Sequence, residues 1–209
     1  DFEQLVQISP NYTIAARVNE ARNQRGYDRA GAEAKGTLKV SPNYALAFID
    51  RGIAFASNRR YDRAIADFDQ AIKINQADFL AFHHRGNAYY QKADYKRAIA
   101  DFDQAIKLNP SYAQSYYDRA IARYEMQDYD RAIADLDQTI RLEPKNAFAF
   151  YNRGTAYHEK HDYARAIADF DQSIKLNPKI ALAFNNRGNS YAGKREYDRA
   201  IADLSEAIK

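Results

Sequence analysis

The side chains able to do chemistry in this sequence are few once copies are set aside. Four histidines occur: His83, His84, His158 and His161. His83 and His84 are adjacent, so on a helix they point about 100° apart and do not easily share one metal. His158 and His161 have an i, i+3 spacing that can hold a metal, yet no third ligand accompanies them, so surface histidines are expected. Cysteine is absent, which excludes disulfides, thiolate metal sites and a cysteine nucleophile. Carboxylates are abundant but copied. Asp69/Lys73 and Asp103/Lys107 read as i, i+4 pairs, each supporting a helix by roughly a few tenths of a kcal/mol. A catalytic carboxylate would be singular. No Gly-rich phosphate loop or Gly-x-Ser-x-Gly elbow occurs. The expectation is a chain that is not an enzyme, with no catalytic residue, cofactor or metal.

The copying itself dictates the elements. The string Tyr61-Asp-Arg-Ala-Ile-Ala-Asp-Phe-Asp-Gln-Ala-Ile-Lys73 recurs from Tyr95, Tyr129, Tyr163 and Tyr197, each start 34 residues after the last. Arg51-Gly52, Arg85-Gly86, Arg119-Ala120, Arg153-Gly154 and Arg187-Gly188 keep the same step. Within a unit, Phe82, Arg85/Gly86 and Tyr89 share one helical face, and Ala98, Phe102, Ala105 and Ile106 form the stripe that answers it. Small residues (Gly86, Ala98) sit where two helices must approach closely. Pro110, Pro144 and Pro178 stop the second helices, and Gln76 takes that place in one repeat. One such hairpin buries too little to fold alone, so neighbours must stack.

Phe82, Gly86, Tyr89, Ala98, Phe102, Ala105 and Pro110 resemble the signature of the tetratricopeptide repeat (TPR) family, of the kind common in bacterial tandem arrays. The resemblance implies an all-α, right-handed α-α superhelical solenoid. It divides the chain into 1–10 (second half of a truncated repeat), 11–42 (a degenerate repeat), 43–76, 77–110, 111–144, 145–178 and 179–209, the last lacking its end. One departure is systematic: where the family usually has leucine, this chain has Arg51, Arg85, Arg119, Arg153 and Arg187. An arginine on a packing face needs a partner, and Asp67, Asp101, Asp135, Asp169 and Asp203 recur at matching phase. An Arg–Asp ladder is expected; the alternative is that the arginines snorkel into solvent.

The ends and first repeat differ from the rest. Neither end carries a polar capping helix, so the chain reads as part of something longer or as a subunit whose ends other chains cover. The repeat 11–42 is two residues short and carries Gly31 and Gly36, each costing about 1 kcal/mol in a helix. Asn11-Tyr12-Thr13 matches a glycosylation sequon, read as a chance match.

In the family the first helices of successive repeats line the concave wall. That implies a wall of unrepeated residues: His83, His84, Asn87 and Tyr90, then Tyr117, Asp118 and Tyr124, then Tyr151, Asn152, Thr155 and His158, then Asn185, Asn186 and Asn189. Variation on one face of a copied motif fits a recognition surface; it also fits drift. No lysine stands in these positions, which argues against the family's clamp on a chaperone's terminal carboxylate. Asn and His can pair with extended backbone and Tyr can seat apolar or Pro-rich residues, so the expected partner is an extended, weakly charged peptide or protein segment. A sugar chain is a lesser fit. The net charge of +3, from 31 basic and 28 acidic residues, is too balanced for a dedicated nucleic-acid or membrane surface. No apolar run reaches a membrane span and no signal-peptide pattern opens the chain. Two other functions stay open: self-association of uncapped ends into a stacked filament, and a regulatory array of a larger enzyme.

Overall fold

The computed structural model describes residues 42–208. Readings that concern residues 1–41, including the half-helix 1–10, the glycines of repeat 11–42 and Asn11, lie outside the described residues. Within them ten helices follow one another: α1 (Pro42–Ser57), α2 (Tyr61–Ile74), α3 (Phe79–Gln91), α4 (Tyr95–Leu108), α5 (Ala113–Glu125), α6 (Tyr129–Leu142), α7 (Ala147–Glu159), α8 (Tyr163–Leu176), α9 (Ala181–Gly193) and α10 (Tyr197–Ala207). No strand occurs among the described residues, and none of the helices is long and apolar enough to cross a membrane. The all-α solenoid class expected from the period is the class observed. The chain forms two compact units, one ending at Ala93 and one starting at Asp94, so the division falls inside the repeat 77–110.

Local chemistry sets the helix ends. Asp94 and Asp162 cap α4 and α8, each accepting from the backbone N–H three residues on, at 3.1 Å, and from that arginine's Nε at 2.6 Å. The second helices stop at asparagine as much as at proline. Asn75, Asn109 and Asn177 each follow the last helical residue, and each side-chain oxygen accepts from the backbone N–H two residues on, at 3.1–3.2 Å. This is why α2 ends on time although Gln76 stands where other repeats have proline.

The turn inside each hairpin holds a feature that the sequence conceals. Arg59, Ala93, Gln127, His161 and Arg195 all have φ between 57° and 66°, again 34 residues apart. The next N–H closes back on the preceding helix, as in Asp128 N to Arg123 O and Asp162 N to Tyr157 O, both 2.9 Å. This is the left-handed cap that glycine usually fills; no glycine marks it here.

Packing is built on alanine. In the first unit Ile49, Ala64, Phe68, Ala71, Ala81 and Ala88 are buried together. In the second unit one cluster holds Ala120, Ala132, Leu136 and Ala149, and another Ala147, Ile180 and Ala183. Close approach explains one glycine: a Cβ on Gly154 would lie 2.9 Å from Phe170 Cε1. The repeat 111–144 carries Ala120 in the corresponding place, and there the facing side chain is the smaller Leu136.

The expected ladder is present, and it is double. Arg51 grips Asp67 through Nε and Nη2 at 2.8 and 2.7 Å. Arg153 grips Asp169 at 2.8 and 2.6 Å, and Arg187 grips Asp203 at 2.7 and 2.6 Å. Arg119 holds Asp135 at 2.9 and 2.5 Å. Each rung lies on a ring, since the guanidinium carbons of Arg51, Arg119, Arg153 and Arg187 sit 5.4–5.6 Å from the rings of Phe48, Tyr116, Phe150 and Phe184. A third nitrogen of Arg119, Arg153 and Arg187 then reaches the preceding repeat, to Asp103 at 2.5 Å, Asp137 at 2.6 Å and Asp171 at 2.5 Å, and Arg85 Nη1 makes the same contact with Asp69 at 2.5 Å. This corrects the i, i+4 reading of Asp69/Lys73 and Asp103/Lys107. Those carboxylates are held by Arg85 and Arg119, because a partly buried, forked guanidinium outcompetes a solvated ammonium.

Candidate functional site

The structure divides the sequence-predicted wall residues into those tied up between repeats and those that border open space. In the second unit, Asn152 donates to Tyr117 Oη at 2.7 Å and Asn186 to Tyr151 Oη at 3.1 Å. Asn186 also lies 3.5 Å from Thr155 Oγ1, Thr155 donates to Tyr151 O at 3.0 Å, and Asn185 donates to Asn186 Oδ1 at 3.2 Å. His158 Nδ1 is 2.9 Å from the hydroxyl of buried Ser190. Asp118 accepts from Gln114 at 2.8 Å. Most of the amides and phenols expected to meet a ligand therefore join one first helix to the next. Asn189 is exposed, as are the large apolar side chains Phe148 and Leu182.

In the first unit the predicted residues behave differently. His83 is a correction to the surface reading: it is only 3% exposed, and Asn87 Nδ2 lies 3.1 Å from its Nε2. Burial first, then the neighbouring His84, lowers its pKa to about 3, so it is a neutral core residue near pH 7. His84 stacks on Phe68 with ring centroids 5.9 Å apart, and burial also lowers its pKa. His84 and Asn87 border a cleft of about 360 Å³. Ile53, Ala56, Phe68 and Ala88 supply its apolar surface, while Ser57, Arg59, Tyr61 and Gln91 complete the polar rim. No carboxylate lines it. Tyr90, half-buried on the same helix, is not among its lining residues.

Two further clusters in the second unit occupy equivalent repeat positions. In one, Tyr124 and Tyr129 rings lie 5.3 Å apart at 59°, and Tyr124 Oη reaches Glu159 Oε1 at 3.5 Å. Burial, then the Glu159 charge, pushes the Tyr124 pKa up to about 12. In the other, His158 and Tyr163 rings also lie 5.3 Å apart at 59°. There Gly193 stands where Glu159 stands in the first, and a Cβ on it would be 2.6 Å from Tyr163 Cζ. His161 turns to the Tyr163 hydroxyl at 3.0 Å, away from the His158 partner, so the two histidines do not converge on one point.

Sequence reasoning passed over Tyr129, Tyr163, Glu159 and Gly193. The tyrosines recur in every repeat and so read as scaffold. The usable signal was the position that changes through Gln91, Glu125, Glu159 and Gly193 beside a tyrosine that does not.

A family model described as tetratricopeptide repeat matches residues 117–178 and 151–209, and one described as TPR repeat matches 54–93 and 86–127. No curated protein sequence matches the chain. Among solved structures, MamA is similar at 22% identity and TM-score 0.75, over 80% of this chain and 92% of that one. YrrB, described as a TPR protein with an unusual peptide-binding site, is similar at 24% identity and TM-score 0.70, over 78% and 84%. MamA from Desulfovibrio magneticus RS-1 is similar at 19% identity and TM-score 0.75, over 79% and 93%. At these identities the likeness is one of fold.

Proposed function

The chain belongs to the tetratricopeptide repeat family, whose repeats form protein-interaction scaffolds, and on that footing we propose that it is non-catalytic and binds an extended segment of a protein partner. The observation that carries this reading is the cleft of about 360 Å³ bordered by His84 and Asn87. Its size lies at the lower end of the range of ligand-binding clefts, roughly 300–1,000 Å³. The half-buried Ile53 and Ala56, backed by the buried Phe68 and Ala88, suit an apolar or aromatic anchor. Neutral His84 and the amides of Asn87 and Gln91 can answer the N–H and C=O groups of the bound strand. The hydrogen-bonded Tyr–Asn pairs of the second unit serve such a scaffold by holding first helices in register before a ligand arrives, which lowers the ordering cost of binding.

The test begins with selecting binders from a displayed random peptide library on the full chain. The selected peptide is then titrated against the chain and against Ser57→Trp, a change at an exposed rim residue. Obstruction of the cleft is expected to weaken binding about tenfold or more. Equal affinity for both proteins removes the cleft from the reading.

A further inference from the structure

The cluster of Tyr124, Tyr129 and Glu159 has a chemistry distinct from the cleft's. Two tilted phenol rings with centroids 5.3 Å apart stand beside an exposed carboxylate. The one hydrogen bond described for that carboxylate comes from Tyr124 Oη at 3.5 Å, the outer limit of such a bond, so most of its acceptor capacity is left over. The nearby cations are committed elsewhere. Lys160 is bonded to Asp130, Arg131 to Asp128, and Arg123 to Asp135 at 2.7 Å. Local charge on this part of the wall is therefore negative beside π-faces.

We propose that Tyr124, Tyr129 and Glu159 form a docking point for a lysine or arginine side chain of a partner segment, with the cation over the phenol rings and paired to the carboxylate. Ring quadrupoles and a carboxylate both favour a cation, and neither favours an anion or a neutral apolar group equally. Burial first, and then the Glu159 charge, raises the Tyr124 pKa, and the second cause accords with a carboxylate close to the ring. This rests on the reading of the chain as an interaction scaffold. It gives the expected weakly charged partner segment a basic residue at one defined position.

The molecule carries its own control. His158 and Tyr163 repeat the ring geometry at 5.3 Å and 59°, but Gly193 supplies no carboxylate. The probe is N-acetyl-lysine methylamide, followed on tyrosine-ring NMR signals of the full chain, with N-acetyl-norleucine methylamide as the uncharged match. Saturable shifts are expected at Tyr124 and Tyr129 with the lysine probe alone, and not at Tyr163. Glu159→Gln, at an exposed position where folding is checked by circular dichroism, is expected to weaken the response about three- to fivefold. The proposal is overturned by an absent response, by an equal response to norleucine, by Tyr163 shifting as far as Tyr124, or by a Glu159→Gln protein that binds unchanged. Signals of Phe68 and His84 in the same titrations report the cleft separately, so either site can fail without the other.

Discussion

The repeats 111–144 and 145–178 follow one plan and reach different surfaces. Both hold a ring, an arginine and a buried aspartate in the same order: Tyr116, Arg119 and Asp135 in one, Phe150, Arg153 and Asp169 in the other. They differ where the family pattern tolerates change. Repeat 111–144 has Ala120 facing Leu136, and its Arg123 replaces the tyrosine seen as Tyr157 in the next repeat. Repeat 145–178 has Gly154 against Phe170. On the wall, the first presents Tyr124, Tyr129 and a carboxylate, while the second presents His158 and Tyr163 with a glycine pressed under the ring. The packing positions and these variable positions thus interleave on the same helices. A change in one need not disturb the other.

The largest effects are expected from breaking the shared rungs. Asp135 accepts from both Arg119 and Arg123, whereas Asp169 is gripped by Arg153. Removing either buried carboxylate leaves Arg119 or Arg153 only the half-exposed acid of the preceding repeat, and breaking such a buried pair costs up to about 3–5 kcal/mol. Asp135→Ala is expected at the upper end, since it abandons two guanidinium groups, including Arg123 whose Nε has no hydrogen-bond partner. Urea unfolding followed by circular dichroism ranks the two variants; Asp169→Ala proving costlier would break the comparison.

An intermediate effect comes from exchanging the packing solutions. Gly154→Ala forces a Cβ to 2.9 Å from the Phe170 ring, an overpacking worth about 1–3 kcal/mol. Gly154→Ala combined with Phe170→Leu reproduces the Ala120–Leu136 pairing of the neighbouring repeat. The double variant is expected to regain most of what the single one loses. Additive losses in a double-mutant cycle would show that the two pairings are not interchangeable.

The smallest effect sharpens the difference between the walls. Burial first and the Glu159 charge second push the Tyr124 pKa up to about 12, so Glu159→Gln should lower it part of the way toward the ordinary value near 10, leaving the share due to burial. Ultraviolet difference titration reads this directly, with Tyr124→Phe identifying the signal. The sign for stability follows: a phenol whose folded pKa is raised contributes stability that is complete below about pH 10 and lost as pH rises toward 12. Base-induced unfolding that is identical in the wild-type and Tyr124→Phe proteins would remove that contribution.

Much of the scaffold was readable in the residues. The 34-residue step announced helix pairs, Arg51 and Asp67 announced their pairing, and Asn109-Pro110 announced an end. The left-handed turns at Ala93 and Gln127 were not readable, because neither residue is one that prefers positive φ; the closure of the hairpin imposes it. The wall was half readable. Variation among Tyr117, Asn152, Tyr151 and Asn186 marked them as different, but only their positions in space reveal that they bond to each other. His83 reads as a polar surface residue in the sequence and is a neutral core residue in the fold.

By itself the sequence determined the repeat, the helix pairs and the requirement that every packed arginine find an acid, because these follow from periodicity and from the cost of burying unpaired charge. Tertiary structure alone decided the second acid, since the carboxylate 16 residues before Arg153 is brought to the guanidinium although its i, i+4 neighbour is another basic residue. It also decided that Tyr61 borders a cleft, that Tyr129 packs on the Tyr124 ring whose hydroxyl reaches a carboxylate, and that Tyr163 covers a glycine. Those three tyrosines are the same residue at the same repeat position. What separates them is the side chain that the next helix brings alongside, and chain spacing of this length leaves that choice to packing.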